Sequence, residues 1–221
     1  MTAKKVDGME GIKMSLDGKK TAIVLIETQN EFLTPGGAMN SLIQEQLLRR
    51  HVVENMQNLV SQARGRVAKI IYIPFHSFEP GSSDVKECGP AYQGLRRTRV
   101  ANWGKKSWLK GTTGPEIIDQ LKPQKCDIVV EGKITLDAFQ STAIDYLLRA
   151  NEIETVAFAG VLTNWCIESS VRSAYDRGYR VIVIGDCTAA ETQEEQDYAE
   201  RHIFPKISLV IDHKEFLEAL E

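Results

Sequence analysis

Three reactive side chains, a carboxylate, an ammonium and a thiol, each follow an apolar, β-branched stretch of the sequence. Glu27 directly follows TAIVLI, Lys133 follows DIVVEG, and Cys166 comes shortly after TVAFAG. If the carboxyl ends of these stretches meet at one edge of a sheet, the carboxylate could accept the thiol proton and the ammonium could stabilise the thiolate. Together, these three residue types favour nucleophilic catalysis by a thiol.

Cys166 stands where a helix is expected to begin. With Thr163 or Asn164 as the N-cap, its sulfur lies in the first helical turn, where free N–H groups and the helix dipole stabilise a thiolate. Most free cysteines are nevertheless small buried hydrophobes, and charged residues at strand ends are commonly only solvated. Position alone therefore leaves a catalytic and a structural interpretation open.

The elements that would position these residues alternate along the chain as short apolar runs and helical stretches. Runs that are apolar on both faces are typical of parallel strands covered by helices on each side. We therefore predict a three-layer α/β/α fold with a six-stranded, mainly parallel, doubly wound (Rossmann-like) sheet. The predicted strands are 21–26, 69–75, 127–132, 155–160, 180–185 and 207–212.

Helices are predicted between the strands from the 3.6-residue spacing of apolar side chains. One long amphipathic helix begins near Leu42 and stops before Gly65, and another begins after Pro115 at EIIDQL. The remaining helices are predicted around 143–148 and over 164–177, 191–204 and 213–220. The stretch from 76 to 114 follows neither pattern, and we expect it to be a functional loop, unless it contains a further helix or hairpin.

Composition restricts the possible functions. The chain has 221 residues, 43% of them hydrophobic and 26% charged, which indicates a globular protein and excludes a mainly disordered one. The net charge of −3 counts against nucleic-acid binding through phosphates. The apolar runs are far shorter than the roughly 18 residues of a membrane span, so a membrane partner is not expected.

The N-terminal residues and the cysteines indicate the domain organisation and the cellular location. We predict residues 1–20 to be a mobile N-terminal extension without a secretory signal, and 21–221 to form a single domain. The four cysteines match neither a disulfide framework nor a zinc site, which favours a reducing cytoplasmic location.

Three longer strings resemble the motif blocks of the isochorismatase-like cysteine hydrolases. They are VLIETQNEFLTPGG at 24–37, EGKITLDAF at 131–139 and AGVLTNWCIESSVRSAYDRGYRVIVIGDCTAA at 159–190. They come in the family's order and with its spacing, and the similarity covers residues 20–212. That family includes nicotinamidases, N-carbamoylsarcosine amidases, biuret and ureidoacrylate amidohydrolases, and isochorismatases.

The resemblance implies that Cys166 is the nucleophile and Lys133 the triad lysine. Glu27 stands where the family has an aspartate, so its longer side chain must tilt or retract to reach the same sulfur. Either the pocket is adjusted to the extra methylene, or the chemistry differs or is weakened. The resemblance also implies a cis Val161–Leu162 peptide, with the Leu162 and Cys166 N–H groups forming an oxyanion hole. By itself the sequence is equally compatible with a trans turn.

No metal and no cofactor are expected. Nicotinamidases of the family bind a divalent ion with an aspartate and histidines, whereas here IPFHSFEPG offers His76 alone, which counts against that activity. For a substrate pocket the candidate walls are Phe32, Phe139 and Trp165, although aromatic residues near a sheet edge are more often core. The basic run at 96–99 (Arg96, Arg97 and Arg99) could bind a substrate carboxylate or simply be solvated.

The sequence thus predicts a cofactor-independent hydrolase that cleaves a C–N bond of a small carboxamide, ureido or carbamoyl compound through a thioester. Two alternatives stay open, an isochorismatase-type vinyl-ether hydrolase and a catalytically decayed family member acting as a binding module. The expected partners are a small-molecule substrate and further copies of the chain, since relatives of this kind form homo-oligomers.

Overall fold

The sheet has six strands, and every pair of neighbouring strands is parallel. The computed structural model describes residues 14–80 and 108–221. The strands are β1 (Thr21–Ile26), β2 (Lys69–Ile73), β3 (Ile128–Val129), β4 (Thr155–Val161), β5 (Arg180–Ala189) and β6 (Leu209–Ile211). Their spatial order is β3-β2-β1-β4-β5-β6. The chain therefore starts at the centre and winds first to one edge and then to the other, which confirms the predicted doubly wound sheet.

Helices cover both faces of the sheet. They are α1 (Asn30–Leu33), α2 (Asn40–Arg49), α3 (Val52–Ala63), α4 (Ala138–Ser141), α5 (Ile144–Ala150), α6 (Glu168–Asp176), α7 (Gln193–Tyr198) and α8 (His213–Ala219). β1 shows how the two cores form, because Ile23 and Leu25 pack with α2, α3 and α8, whereas Ala22, Val24 and Ile26 pack with α4, α5 and α6. All of these side chains are buried, as expected for a central parallel strand.

The predicted long helix is divided in two. Its backbone turns at His51, whose φ of 53° is left-handed, so α2 ends at Arg49 and α3 begins at Val52. At this break Arg50 reaches across to β5, donating to the carbonyl of Gly185 at 2.9 Å. A continuous apolar spacing gave no sign of this tertiary contact.

The prediction of a helix after Pro115 was wrong. Only Asp119–Leu121 forms a short 3-10 turn, while the preceding residues run antiparallel to the segment after β1. The Asn30 N–H donates to Glu116 at 2.9 Å, and the Ile118 N–H donates to Thr28 at 3.0 Å. These long-range main-chain bonds replace the local bonds of a helix.

The last residues of the predicted N-terminal extension are packed in the structure. Leu16 is 2% exposed and lies in the core, and its main chain bonds to Ala219 and Glu221 at the end of the chain. Residues 1–13 lie outside the described part. None of the described helices meets the length and hydropathy needed to cross a membrane.

Candidate active site

Glu27, Lys133 and Cys166 meet at the carboxyl edge of the sheet. Lys133 Nζ lies 2.5 Å from Glu27 Oε1 and 3.5 Å from Cys166 Sγ, and it also donates to the Thr135 carbonyl at 2.7 Å. Lys133 is completely buried, and Glu27 and Cys166 are 2% and 4% exposed. The structure therefore brings the three predicted residues into direct contact, with the ammonium between the carboxylate and the thiol.

Glu27 directly follows the point where β1 and β4 approach each other closely. Gly160 on β4 faces Ile26, and a Cβ at this glycine would lie 2.0 Å from the Ile26 carbonyl oxygen. Directly after Ile26, Glu27 takes a left-handed conformation with φ 55°, and its N–H donates to the Ile73 carbonyl at 3.0 Å. A non-glycine residue rarely adopts this conformation, and such positions cluster at functional sites.

Cys166 lies in the turn that follows β4. Thr163–Ile167 forms one π-helical turn before α6, and the Val161–Leu162 peptide preceding it is cis. The Leu162 carbonyl accepts from the Ile167 N–H at 3.1 Å. Ser170 closes the turn by donating to the Cys166 carbonyl at 2.7 Å and accepting from the Ala138 N–H at 3.0 Å. The Cys166 backbone is thus linked through Ser170 to the segment that follows Lys133.

Burial and neighbouring charges shift the pKa values of Cys166 and Lys133. Burial raises the pKa of the Cys166 thiol strongly, the Glu27 carboxylate raises it further, and the Lys133 ammonium lowers it. For Lys133, burial lowers the pKa, but the negative charges of Glu27 and of Cys166 in its thiolate form outweigh burial and leave this pKa raised. The raised pKa of Cys166 favours a neutral thiol, and the raised pKa of Lys133 favours an ammonium beside it.

One oxygen of the site has no hydrogen-bond donor among the described residues. Glu27 Oε1 is held by Lys133, whereas Glu27 Oε2 is buried and accepts no hydrogen bond there. A buried carboxylate oxygen without a donor is costly. It is also suited to accept a proton from a neighbouring thiol, from a leaving group or from water.

The three predicted pocket rings do not form one wall. Phe32 belongs to the core on one face of the sheet, where its ring centroid lies 5.3 Å from that of Trp108. Phe139 belongs to the core on the other face and packs against Tyr179 at 6.2 Å. Trp165 is half-buried and contacts both cores, so it is the one ring of the three that lies between them.

The other sequence candidates are only partly described. His76 donates its N–H to the Lys133 carbonyl at 2.8 Å, and its ring packs edge-on against Phe78 at 4.9 Å. This makes it a structural neighbour of the site. The basic run at 96–99 lies outside the described residues. Residues 81–107 of the predicted loop also lie outside the described part, and its two described portions meet where the Phe78 N–H donates to the Trp108 carbonyl at 2.7 Å.

Within 14–80 and 108–221, one group of three side chains has the donor types and proximity for a metal. Asp186, Cys187 and His213 have ligand atoms within 4.8 Å of one another. Asp186 already accepts from the main-chain N–H of His213 at 2.9 Å and contacts its Nδ1 at 2.5 Å. These contacts dock the N-terminus of α8 on β5, so the group is explained by packing.

Two contacts of the site had no clear signal in the sequence. The Thr135 carbonyl that accepts from Lys133 is a main-chain atom, so its residue type says nothing about it. Gln29 is completely buried and binds the main chain of Phe75 and Pro115 through its side-chain amide. The only sequence signal for Gln29 is its place two residues after Glu27.

The fold and the site define a class of α/β proteins with a buried carboxylate, ammonium and thiol at the carboxyl edge of a doubly wound sheet. Residues 21–215 match the family model of the isochorismatase domain. The chain belongs to the isochorismatase family and is a hydrolase of that family. The resemblance expected from the three motif blocks is thereby confirmed.

Several named proteins are similar to this chain over most of its length. Ureidoacrylate amidohydrolase RutB of Methylorubrum extorquens is 29% identical over 182 residues, which cover 79% of this chain and 72% of the relative. A cysteine hydrolase from Pseudomonas syringae pv. phaseolicola 1448A superposes with a TM-score of 0.76 at 23% identity, covering 96% of this chain and 98% of that one. N-carbamoylsarcosine amidase from Thermoplasma acidophilum superposes with a TM-score of 0.64 at 26% identity, covering 88% and 96%.

Proposed function

We propose that the protein is a cysteine amidohydrolase that cleaves a C–N bond of a small carboxamide, ureido or carbamoyl compound. The observation that carries the proposal is the contact of Lys133 Nζ with Glu27 Oε1 at 2.5 Å and with Cys166 Sγ at 3.5 Å. The similarity to a ureidoacrylate amidohydrolase and to an N-carbamoylsarcosine amidase supports the substrate class.

In the first half of the reaction, Glu27 takes the proton of the Cys166 thiol as the sulfur attacks the substrate carbonyl carbon. Because the pKa of this thiol is raised in the resting site, the transfer belongs to the substrate-bound state. The N–H groups of Leu162 and Cys166 bind the oxyanion of the tetrahedral intermediate. The C–N bond then breaks, and the proton held by Glu27 passes to the leaving nitrogen, which leaves a thioester.

In the second half, Glu27 accepts a proton from water, and the resulting hydroxide attacks the thioester carbonyl. The C–S bond breaks, and the proton returns to the sulfur, so the enzyme is restored with one water consumed. Lys133 remains charged and stabilises the carboxylate and the thiolate in turn. We further propose that the active chain is a homo-oligomer in the cytoplasm and that 21–221 is one domain extended by the packed residues from 14 onward.

The test is ammonia release from a panel of small amides, ureido acids and carbamoyl compounds. The parent is compared with Cys166→Ala and with Cys187→Ala, which removes a second buried thiol outside the site. Activity that Cys166→Ala abolishes and Cys187→Ala retains is the expected result. Activity that survives Cys166→Ala would refute the nucleophile assignment.

A parent that releases no ammonia from any compound would count against amide chemistry. Isochorismate is therefore included in the panel, since vinyl-ether hydrolysis that persists after iodoacetamide treatment would indicate the other activity of the family. If no compound is hydrolysed, the result would favour a binding module with a decayed site.

A further inference from the structure

The end of β2 and the residues after it contact the main chain of two residues of the site. The Ile73 carbonyl accepts from the Glu27 N–H at 3.0 Å. Phe75 forms a β-bridge with Lys133, and the His76 N–H donates to the Lys133 carbonyl at 2.8 Å. This four-residue stretch therefore sets the distance between the backbone that carries the carboxylate and the backbone that carries the ammonium.

Regular pairing does not extend along this stretch. The register between β1 and β2 ends with Ile26 opposite Ile73, because Glu27 turns away with its left-handed φ of 55°. Phe75 lies two residues beyond the last pair of this register. Some other group must bond its main chain on that side, since buried N–H and C=O groups are almost always paired.

The side chain of Gln29 supplies these bonds. Its Oε1 accepts from the Phe75 N–H at 2.7 Å, and its Nε2 donates to the Phe75 carbonyl at 2.9 Å. The same Nε2 donates to the Pro115 carbonyl at 2.8 Å. Gln29 is 0% exposed, so its carboxamide makes these bonds to Phe75 away from solvent.

We propose that Gln29 is a positioning residue that holds Phe75, and through it Lys133, at the distance from Glu27 and Cys166 that the reaction requires. Its effect on turnover rests on the proposed function. Its effect on the placement of the ammonium beside the sulfur does not, because the reactivity of the thiol reports that placement without any substrate.

The chain offers a matched control in the next residue. Asn30 Nδ2 donates to the carbonyls of Thr113 at 2.9 Å and Glu116 at 3.2 Å. Asn30 therefore holds the same 113–116 segment as Gln29, but its side chain bonds to neither Phe75 nor Lys133. Gln29→Met and Asn30→Leu each replace an amide by an apolar group of similar size, and only the first removes the side-chain bonds to the Phe75 main chain.

The first measurement is the rate at which iodoacetamide alkylates Cys166, followed over a range of pH by mass spectrometry of the peptide that contains it. In Gln29→Met the ammonium shifts away from the sulfur, so the thiolate is less favoured and alkylation at mildly alkaline pH falls by about 10-fold. Asn30→Leu is expected to keep the parent profile. Circular dichroism and thermal melts establish that both variants are folded.

Two results would overturn the inference. One is an unchanged alkylation profile in folded Gln29→Met, and the other is an equal slowing in Asn30→Leu, which would indicate general loosening of the 113–116 segment. If Gln29→Met does not fold, Gln29→Glu serves instead, because a protonated carboxyl retains one donor and one acceptor. Its alkylation rate relative to the parent is expected to recover as the pH is lowered, and a constant ratio would contradict the role of the donor.

The second measurement uses the substrate found by the ammonia-release panel. Because a misplacement of about 1 Å can cost on the order of 10²-fold in rate, Gln29→Met is expected to lower kcat by at least about 10-fold while KM changes little. An inactive parent would remove the proposed function and leave the alkylation result standing. An active parent with unchanged alkylation and kcat in Gln29→Met would remove only the positioning role.

Discussion

Glu27→Asp tests whether the site is adjusted to a glutamate. The substitution keeps the charge and removes one methylene, while the backbone is held by its left-handed φ of 55° and by the bond to the Ile73 carbonyl. One C–C bond is about 1.5 Å long. The carboxylate oxygen that now lies 2.5 Å from Lys133 Nζ would therefore retreat to a distance of up to about 4 Å.

The attraction lost between residue 27 and Lys133 can be calculated from the distances before and after the substitution. With an effective dielectric constant of about 20, the attraction is about 6.6 kcal/mol at the present distance and about 4.2 kcal/mol after the retreat. The pair is thus weakened by about 2.5 kcal/mol, and the rate falls because a base misplaced by about 1 Å can cost on the order of 10²-fold. We therefore expect kcat to fall by about 10²-fold with little change in KM.

The assay is ammonia release with the best substrate of the panel, accompanied by urea unfolding to measure stability. The matched control is Glu31→Asp, which shortens another buried carboxylate, 7% exposed, whose Oε2 accepts from the Ala38 N–H at 2.5 Å. That variant is expected to keep the parent kcat. If Glu27→Asp is as active as the parent, the argument fails. If the substitution creates activity that the parent lacks, the native chain is better regarded as a degenerate enzyme.

Three further outcomes are expected. Gly160→Ala should lower the free energy of unfolding by at least about 3 kcal/mol, because alanine is strained at the φ of 119° found here and its Cβ would also clash with the Ile26 carbonyl; an unchanged urea midpoint would contradict this. Lys133→Met leaves Glu27 buried without its cation and should cost about 3–5 kcal/mol in the same assay, so wild-type stability would argue against the pair. Because the raised pKa of Cys166 keeps its thiol neutral, the free enzyme should be alkylated slowly at neutral pH and faster as the pH rises, and a rate that does not change with pH would refute a neutral resting thiol.

The sheet could be predicted because its signal is local. Each of the six strands overlaps an apolar run of the sequence, and a strand buried on both faces must be apolar at every position. β3 is shorter than predicted, with Ile128 and Val129 alone in the ladder. It lies at the edge of the sheet, where one neighbour rather than two holds the strand.

The helices show where local signals fail. Ile117, Ile118 and Leu121 have a helical spacing, yet the segment pairs with Gln29 through long-range bonds instead. Likewise, the apolar spacing runs unbroken past His51, where the backbone turns. Apolar spacing records which residues are buried, and it cannot distinguish burial within one helix from burial across a break or a bridge.

By itself, the sequence determined the order of the six strands along the chain and the types of reactive group that follow strands β1, β3 and β4. Residue type and spacing are sufficient for both. Only the tertiary structure decided that Lys133 Nζ lies between Glu27 and Cys166, and that Gln29 holds Phe75. These bonds join residues 106 and 46 positions apart, and hydrogen bonds at such separations depend on how the strands are ordered in space, which leaves no local trace in the chain.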